Sequence, residues 1–215
     1  MATARPARRI YHCATRTPTL DELRELAEWI DSGGLVAFPT ETFYGLAADP
    51  RSDHAVQSLF DLKGRSRDSA VPLIAGSFEL VVQLCGTIGE DSTRLAQRFW
   101  PGPLSLILDA PSWISSVVHG GTGTIAVRVP ANELARDLAA AAGGILTATS
   151  ANRSGEPPAT HGAALQGLQP DPRLVIVDGG STPGGAPSTI VDARQAEWRL
   201  IREGVVPWSH VLESK

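Results

Sequence analysis

The chain has 215 residues, 42% hydrophobic and 20% charged, which places it among ordinary globular proteins and away from the disordered class. Its formal net charge of -4 argues against a broadly basic, nucleic-acid-coating surface, and its two cysteines, Cys13 and Cys85, exclude a disulfide framework or a cysteine-built zinc site. No run of about 18 apolar residues is present that could cross a bilayer, so the expectation is one domain in a reducing, cytoplasmic compartment.

Residues 1–18 carry Arg5, Arg8, Arg9 and Arg16 and no acid, but lack the apolar face of a transit helix. They read as a tail or an edge strand, ahead of a catalytic domain over 19–208 and a tail over 209–215. Thr19 and Glu22 form a capping box, and Leu20, Leu23, Leu26, Ala27 and Ile30 recur at helical spacing until Gly33-Gly34. The apolar run Leu35 to Phe38, closed by Pro39, reads as a buried strand that delivers Thr40, Glu41 and Thr42 to a loop.

Asp53 is expected to cap a second helix with Ala55, Val56, Leu59, Phe60 and Leu62 on its apolar face. Gly64 ends that helix and leaves Lys63 and Arg65 as cations at an exposed helix C-terminus. A strand over 71–75, helices over 78–85 and 91–100, and a break at Pro101-Gly102-Pro103 follow. Strands are then expected over 104–108 and 124–129, an alanine-rich helix over 133–142, and a strand over 145–149 that runs into Ser150-Ala151-Asn152. Beyond a Gly/Pro-rich loop come a helix over 161–168 and strands over 174–177, 188–191 and 198–201. Several strands follow one another without room for a helix between them, so the fold is α/β with a mixed parallel and antiparallel sheet.

General motifs give little. Gly121-Thr122-Gly123-Thr124-Ile125-Ala126 fits GxGxxA, but it opens a β-like run where a dinucleotide fingerprint must open a helix. The chain has no Walker-type phosphate loop, nucleophile elbow or HExxH zinc motif. Polar residues instead gather at the ends of expected elements, where α/β proteins place ligand sites. Each gathering has two readings. Lys63 and Arg65 either complement a helix dipole or bind an anion. Arg128, inside an apolar strand, needs either a buried carboxylate or an anionic ligand. Thr40, Thr42, Ser150, Asn152 and Ser188 are ordinary turn and cap residues taken singly, and Glu41 reads as a solvated loop acid.

Taken together, the gatherings resemble one family, the YrdC-type threonylcarbamoyl-AMP synthases, from about Leu20 to Gly204. The motifs are FPTETFYGLAAD from Phe38, LKGR from Leu62, FWPGPLSLIL from Phe99, TIAVRVP from Thr124, TSANRSGEPPAT from Thr149, and DGG and STIVD from Asp178 and Ser188. They occur in that family's order. The resemblance implies a twisted mixed sheet flanked by helices around a deep positive cavity, in the short, single-domain form. It also implies a reaction of ATP, L-threonine and bicarbonate to threonylcarbamoyl-AMP and pyrophosphate, for N6-threonylcarbamoyladenosine in tRNA. Magnesium is expected on the phosphates, with no protein side chain assigned to it.

By the same resemblance, Lys63, Arg65, Ser150 and Asn152 form the catalytic tetrad, and Thr42, Arg128, Ser150 and Ser188 hold threonine. Lys63, Arg65, Ser69, Thr124, Asn152, Thr160 and Arg202 contact ATP. The implied partners are a threonylcarbamoyl-transferase machinery and tRNA, with no membrane. The chain departs from the family pattern between Arg65 and Gly76, where Ala75-Gly76 stands in place of a common histidine. The competing reading is an RNA-binding module of this fold without synthase activity.

Overall fold

The computed structural model describes residues 10–64, 66, 69–168 and 171–215. Two mixed sheets carry the fold, where the sequence reading expects one. The first has the order β1-β9-β2-β3-β8, built from Ile10–His12 (β1), Leu35–Pro39 (β2), Tyr44–Ala47 (β3), Thr149–Ser150 (β8) and Leu174–Asp178 (β9). The second has the order β11-β10-β5-β6-β4-β7, built from Leu73–Ala75 (β4), Leu104–Asp109 (β5), Thr124–Arg128 (β6), Ile145–Thr147 (β7), Thr189–Asp192 (β10) and Arg199–Arg202 (β11). In the first sheet two parallel pairs (β1 with β9, β9 with β2) are followed by two antiparallel ones (β2 with β3, β3 with β8), and in the second parallel pairs (β10 with β5, β6 with β4) alternate with antiparallel ones.

The expected capping box is present at the start of α1 (Leu20–Asp31), with the Glu22 amide donating to Thr19 Oγ1 at 3.2 Å and the Thr19 amide to Glu22 Oε2 at 2.9 Å. Its Leu23, Leu26, Trp29 and Ile30 face the core. The second helix, α2 (Asp53–Lys63), is capped one residue earlier than expected, by Ser52, whose hydroxyl accepts from the Ala55 amide. Asp53 is used elsewhere, as acceptor for the Ser115 hydroxyl at the N-cap of α5 (Ser116–His119). Gly64 ends α2 at φ 60°, a left-handed position that favours glycine.

Helices α3 (Phe78–Cys85), α4 (Glu90–Phe99) and α6 (Glu133–Ala141) fall within a residue of expectation, whereas 162–167 winds as a 3₁₀ segment. The strand expected over 145–149 is two strands. β7 pairs with β4 in one sheet and β8 with β3 in the other, so this stretch crosses between them. The last stretch, 209–215, begins inside α7 (Trp208–Leu212), and the Arg98 guanidinium holds its end by donating to Ser214 Oγ at 2.8 Å. Residues 10–12 of the expected N-terminal tail or edge strand form β1, while residues 1–9 lie outside the described residues.

One close approach gives the motif residue Thr189 a structural role. Thr189 is fully buried and its hydroxyl donates to Val206 O at 2.6 Å while accepting from the amides of Gly204 (2.9 Å) and Val206 (3.1 Å). This knot pulls Gly204 so near β10 that a Cβ there would meet Pro187 O at 2.0 Å. Gly204→Ala should therefore destabilise the protein by about 1–3 kcal/mol through forced overpacking. Gly89→Ala, at φ -61° with nothing within 4 Å of the added carbon, should cost far less. Denaturant midpoints of the two variants measure the difference.

Candidate functional site

A cavity of about 680 Å³ opens where the two sheets face each other. The β2–β3 hairpin supplies Thr40, Thr42 and Tyr44, and β8 supplies Ser150. From the other sheet come Arg128 at the end of β6, Ser188 just ahead of β10, and Ile201 and Arg202 on β11. The tight turn between β2 and β3 is built by Thr40, whose hydroxyl donates to Phe43 O at 2.7 Å and lies 3.1 Å from Thr42 Oγ1. Tyr44 is fully buried, donating to Gly180 O at 2.6 Å and accepting from the Gly179 amide at 3.1 Å. The Gly-Gly of the DGG motif is thus a seat for Tyr44, and a Cβ on Gly179 would meet Pro39 Cγ at 2.5 Å.

Arg128 is 7% exposed, and its guanidinium pairs with Glu41 from the hairpin turn of the opposite sheet. Glu41, expected as a solvated loop acid, is instead the half-buried counter-charge of Arg128. Burial pulls the Arg128 guanidinium below its ordinary value, opposed by the Glu41 charge. Arg202 is lowered for the same first reason, with the Arg128 charge adding to it. Its guanidinium donates to Ser188 O at 2.8 and 3.2 Å, and Ser188 Oγ lies 3.1 Å from Ser105 Oγ, so β11, β10 and β5 are tied together at the cavity wall. Both arginines stay charged at neutral pH, since a guanidinium does not deprotonate in proteins.

Lys63 is not the exposed helix-end cation that the sequence reading expects. It is 3% exposed, and its ammonium donates to Ser150 O, to Asn152 O at 2.8 Å and to Asn152 Oδ1 at 3.2 Å. The Ser150 hydroxyl donates to the same Oδ1 at 2.6 Å, and Lys63 O accepts from the Ser154 amide at 2.7 Å. Lys63, Ser150 and Asn152 therefore form one hydrogen-bonded unit behind the cavity wall, while Arg65 lies outside the described residues.

Thr42, Arg128, Ser150, Ser188 and Arg202 line the cavity, and Ser69 adjoins Ala70 on its rim. Of the expected nucleotide contacts among the described residues only Arg202 lines it; Lys63 and Asn152 lie behind the wall, and Ser69, Thr124 and Thr160 are not lining residues. Thr124 is at the far end of β6, about 13 Å along the strand from Arg128, and its hydroxyl lies 3.2 Å from that of Thr122. The Thr160 carbonyl accepts from the Thr182 amide at 2.7 Å, in a loop beside the hairpin. Thr40, Glu41, Tyr44 and Ile201 belong to the site and are not among the residues assigned a ligand role by resemblance. The thiols are poor nucleophiles, because burial pushes Cys85 up to about 11 and raises Cys13 as well. No group of three or more His, Cys, Asp or Glu side chains comes together for a metal among the described residues. No helix among them is long and apolar enough to cross a membrane.

Two mixed sheets that meet at a cavity lined in part by hydroxyls and two guanidiniums define the class of α/β protein to which this chain belongs. The family model described as Telomere recombination, which unites Sua5, YciO and YrdC, matches residues 28–204, and the chain belongs to that family. It is 38% identical over 190 residues to the threonylcarbamoyl-AMP synthase of Pyrococcus abyssi, a match covering 88% of this chain and 56% of that protein. The Thiobacillus denitrificans threonylcarbamoyl-AMP synthase is 35% identical over 167 residues, covering 78% of this chain and 88% of that protein. The crystal structure of P. abyssi Sua5 complexed with L-threonine superposes with a TM-score of 0.86 at 36% identity, covering 95% of this chain and 60% of that one. The chain thus spans little more than half the length of its Pyrococcus relative.

Because the buried Lys63 ammonium donates to the half-buried Ser150 and Asn152 carbonyls, Lys63→Met should lower stability by about 1–3 kcal/mol in all. Urea unfolding measures the loss. An unchanged midpoint would mean that the lysine carries no structural load.

Proposed function

We propose that this chain joins L-threonine, bicarbonate and ATP into threonylcarbamoyl-AMP, releasing pyrophosphate. The observation that carries the reading is the convergence of Arg128, Thr42, Ser150 and Ser188 on one cavity. A buried guanidinium ringed by hydroxyls suits a small zwitterion bearing a carboxylate. Kinship with synthases of 38% and 35% identity, and with a threonine-complexed structure of the same fold, supports the same substrate.

In this reading Arg128 takes the threonine carboxylate, and Thr42, Ser150 and Ser188 orient the rest of the amino acid. Bicarbonate takes up a proton, balanced by the one the threonine amine gives up in the next step, and breaks down to carbon dioxide and water. The threonine amine adds to the carbon dioxide and loses a proton, forming a carbamate. A carbamate oxygen then bonds to the α-phosphorus of ATP as the bond to the bridging oxygen of pyrophosphate breaks. The protein supplies no nucleophile. Its work is orientation and neutralisation of spreading negative charge, which alone remove a large part of such a barrier.

Arg202, on the same wall, is placed to meet the phosphates. Lys63, Arg65 and Asn152 belong to the tetrad beside Ser150, and Ser69, Thr124 and Thr160 are further nucleotide contacts in the family pattern. For Thr124 and Thr160 that role requires the nucleotide to reach beyond the cavity lining. Magnesium would supply charge neutralisation on the triphosphate. The lining offers hydroxyls and guanidiniums and no carboxylate, and the neighbouring Glu41 is engaged by Arg128, so the metal is assigned to the phosphates and to no protein side chain. The product would pass in the cytoplasm to a transferase that modifies tRNA.

Pyrophosphate release should require threonine, bicarbonate, ATP and magnesium together, and release indifferent to threonine would refute the assignment. Arg128→Lys should raise the KM for threonine by about tenfold or more, because an ammonium cannot reproduce the paired guanidinium bonds. The KM for ATP should change far less. Steady-state kinetics with each substrate varied in turn separates the two.

A further inference from the structure

The pair between Glu41 and Arg128 crosses the cavity from one sheet to the other, and it is incompletely made. One guanidinium nitrogen, Nη1, meets one carboxylate oxygen, Oε1. The second oxygen, Oε2, is buried with no hydrogen-bond partner. Among the described residues Glu41 is the one hydrogen-bond partner of the Arg128 guanidinium. A guanidinium and a carboxylate reach full strength as a fork of two parallel bonds, and a buried oxygen left unpaired carries its desolvation cost without return. A permanent structural ion pair would be expected to close the fork.

Resting on the function proposed above, we infer that Glu41 is a stand-in for the substrate carboxylate: it neutralises Arg128 in the empty site and is displaced when threonine binds. The empty cavity needs such a stand-in, because Arg128 is 7% exposed and faces Arg202 from the same sheet, so without an anion the charge would be buried uncompensated. An amino-acid carboxylate seated against Arg128 can close the fork and also accept from the hydroxyls of Thr42 and Ser188. Glu41 sits in the turn between β2 and β3 with its side chain 16% exposed, so rotation about its own bonds carries it toward solvent. Binding then exchanges one carboxylate for another. Glu41 is a positioning residue that lowers the affinity for threonine and makes a carboxylate the entry requirement.

Glu41→Gln removes the competing charge at nearly the same volume. Threonine should bind this variant about fivefold or more tightly, the low end of an ordinary coupling between two sites. The KM for threonine should fall with no rise in kcat and no change in the KM for ATP, a split that a loosened fold would not produce. The free variant should melt below the wild type, and saturating threonine should remove the deficit. Threonine affinity that is unchanged or weakened in Glu41→Gln overturns the proposal.

Should that variant not fold, Glu41→Asp, one methylene too short for the pair, should show the same gain. A crystal structure of the wild type with threonine should show Glu41 out of reach of Arg128 and a substrate carboxylate in its place; an intact pair overturns the proposal. If threonine stabilises neither wild type nor variant, the substrate reading fails on its own. The exchange is then judged with acetate, which should raise the melting temperature of Glu41→Gln more than that of the wild type, and an equal effect overturns it.

Discussion

A guanidinium on an apolar strand has to be answered by a negative charge, and that requirement governs how the two sheets of this protein meet. Arg128 ends β6 inside the second sheet, and its answer, Glu41, comes from a hairpin of the first. Their pair ties the two sheets together beside the cavity that hydroxyls from β8, the residue ahead of β10 and the hairpin line.

Around that charge, structural and functional roles fall on the same side chains. Lys63 fastens the end of α2 to the strand that presents Ser150, and Arg202 fastens β11 to the backbone of Ser188. Each is a cation beside the cavity, and each already spends donors on backbone carbonyls. This arrangement holds the hydroxyls in place without ligand, the preorganisation that positioning chemistry requires. Strands set much of the walls, while Glu41 and Thr42 in the hairpin turn and Ser188 ahead of β10 are carried on loops.

The sequence conveyed elements whose signals are local. The capping box of α1, the glycine stop of α2, the apolar run of β2 and the alanine-rich α6 all depend on residues a few positions apart, and they lie where the pattern put them. β3 escaped because Tyr-Gly-Leu-Ala is short and buried on both faces, so no alternation marks it. β8 is two residues long, and the switch of sheet between β7 and β8 has no signature in the chain. The cap of α2 was read one residue late because Ser52 and Asp53 are both capping types, and only the demand of Ser115 for an acceptor assigns Asp53 elsewhere.

By itself the sequence determined an α/β chain with strands too closely spaced for a single parallel sheet, and an order of polar motifs that marks its family. Arg128 was already a problem on paper: a cation in an apolar strand, with its anion unnamed. Only the tertiary structure decided that the anion within the chain is Glu41, 87 residues away in sequence. It likewise decided that Lys63 is buried and that Thr124 points its strand end away from the cavity. Periodicity and capping report on neighbours along the chain, whereas ion pairs between sheets depend on which strands the fold sets face to face.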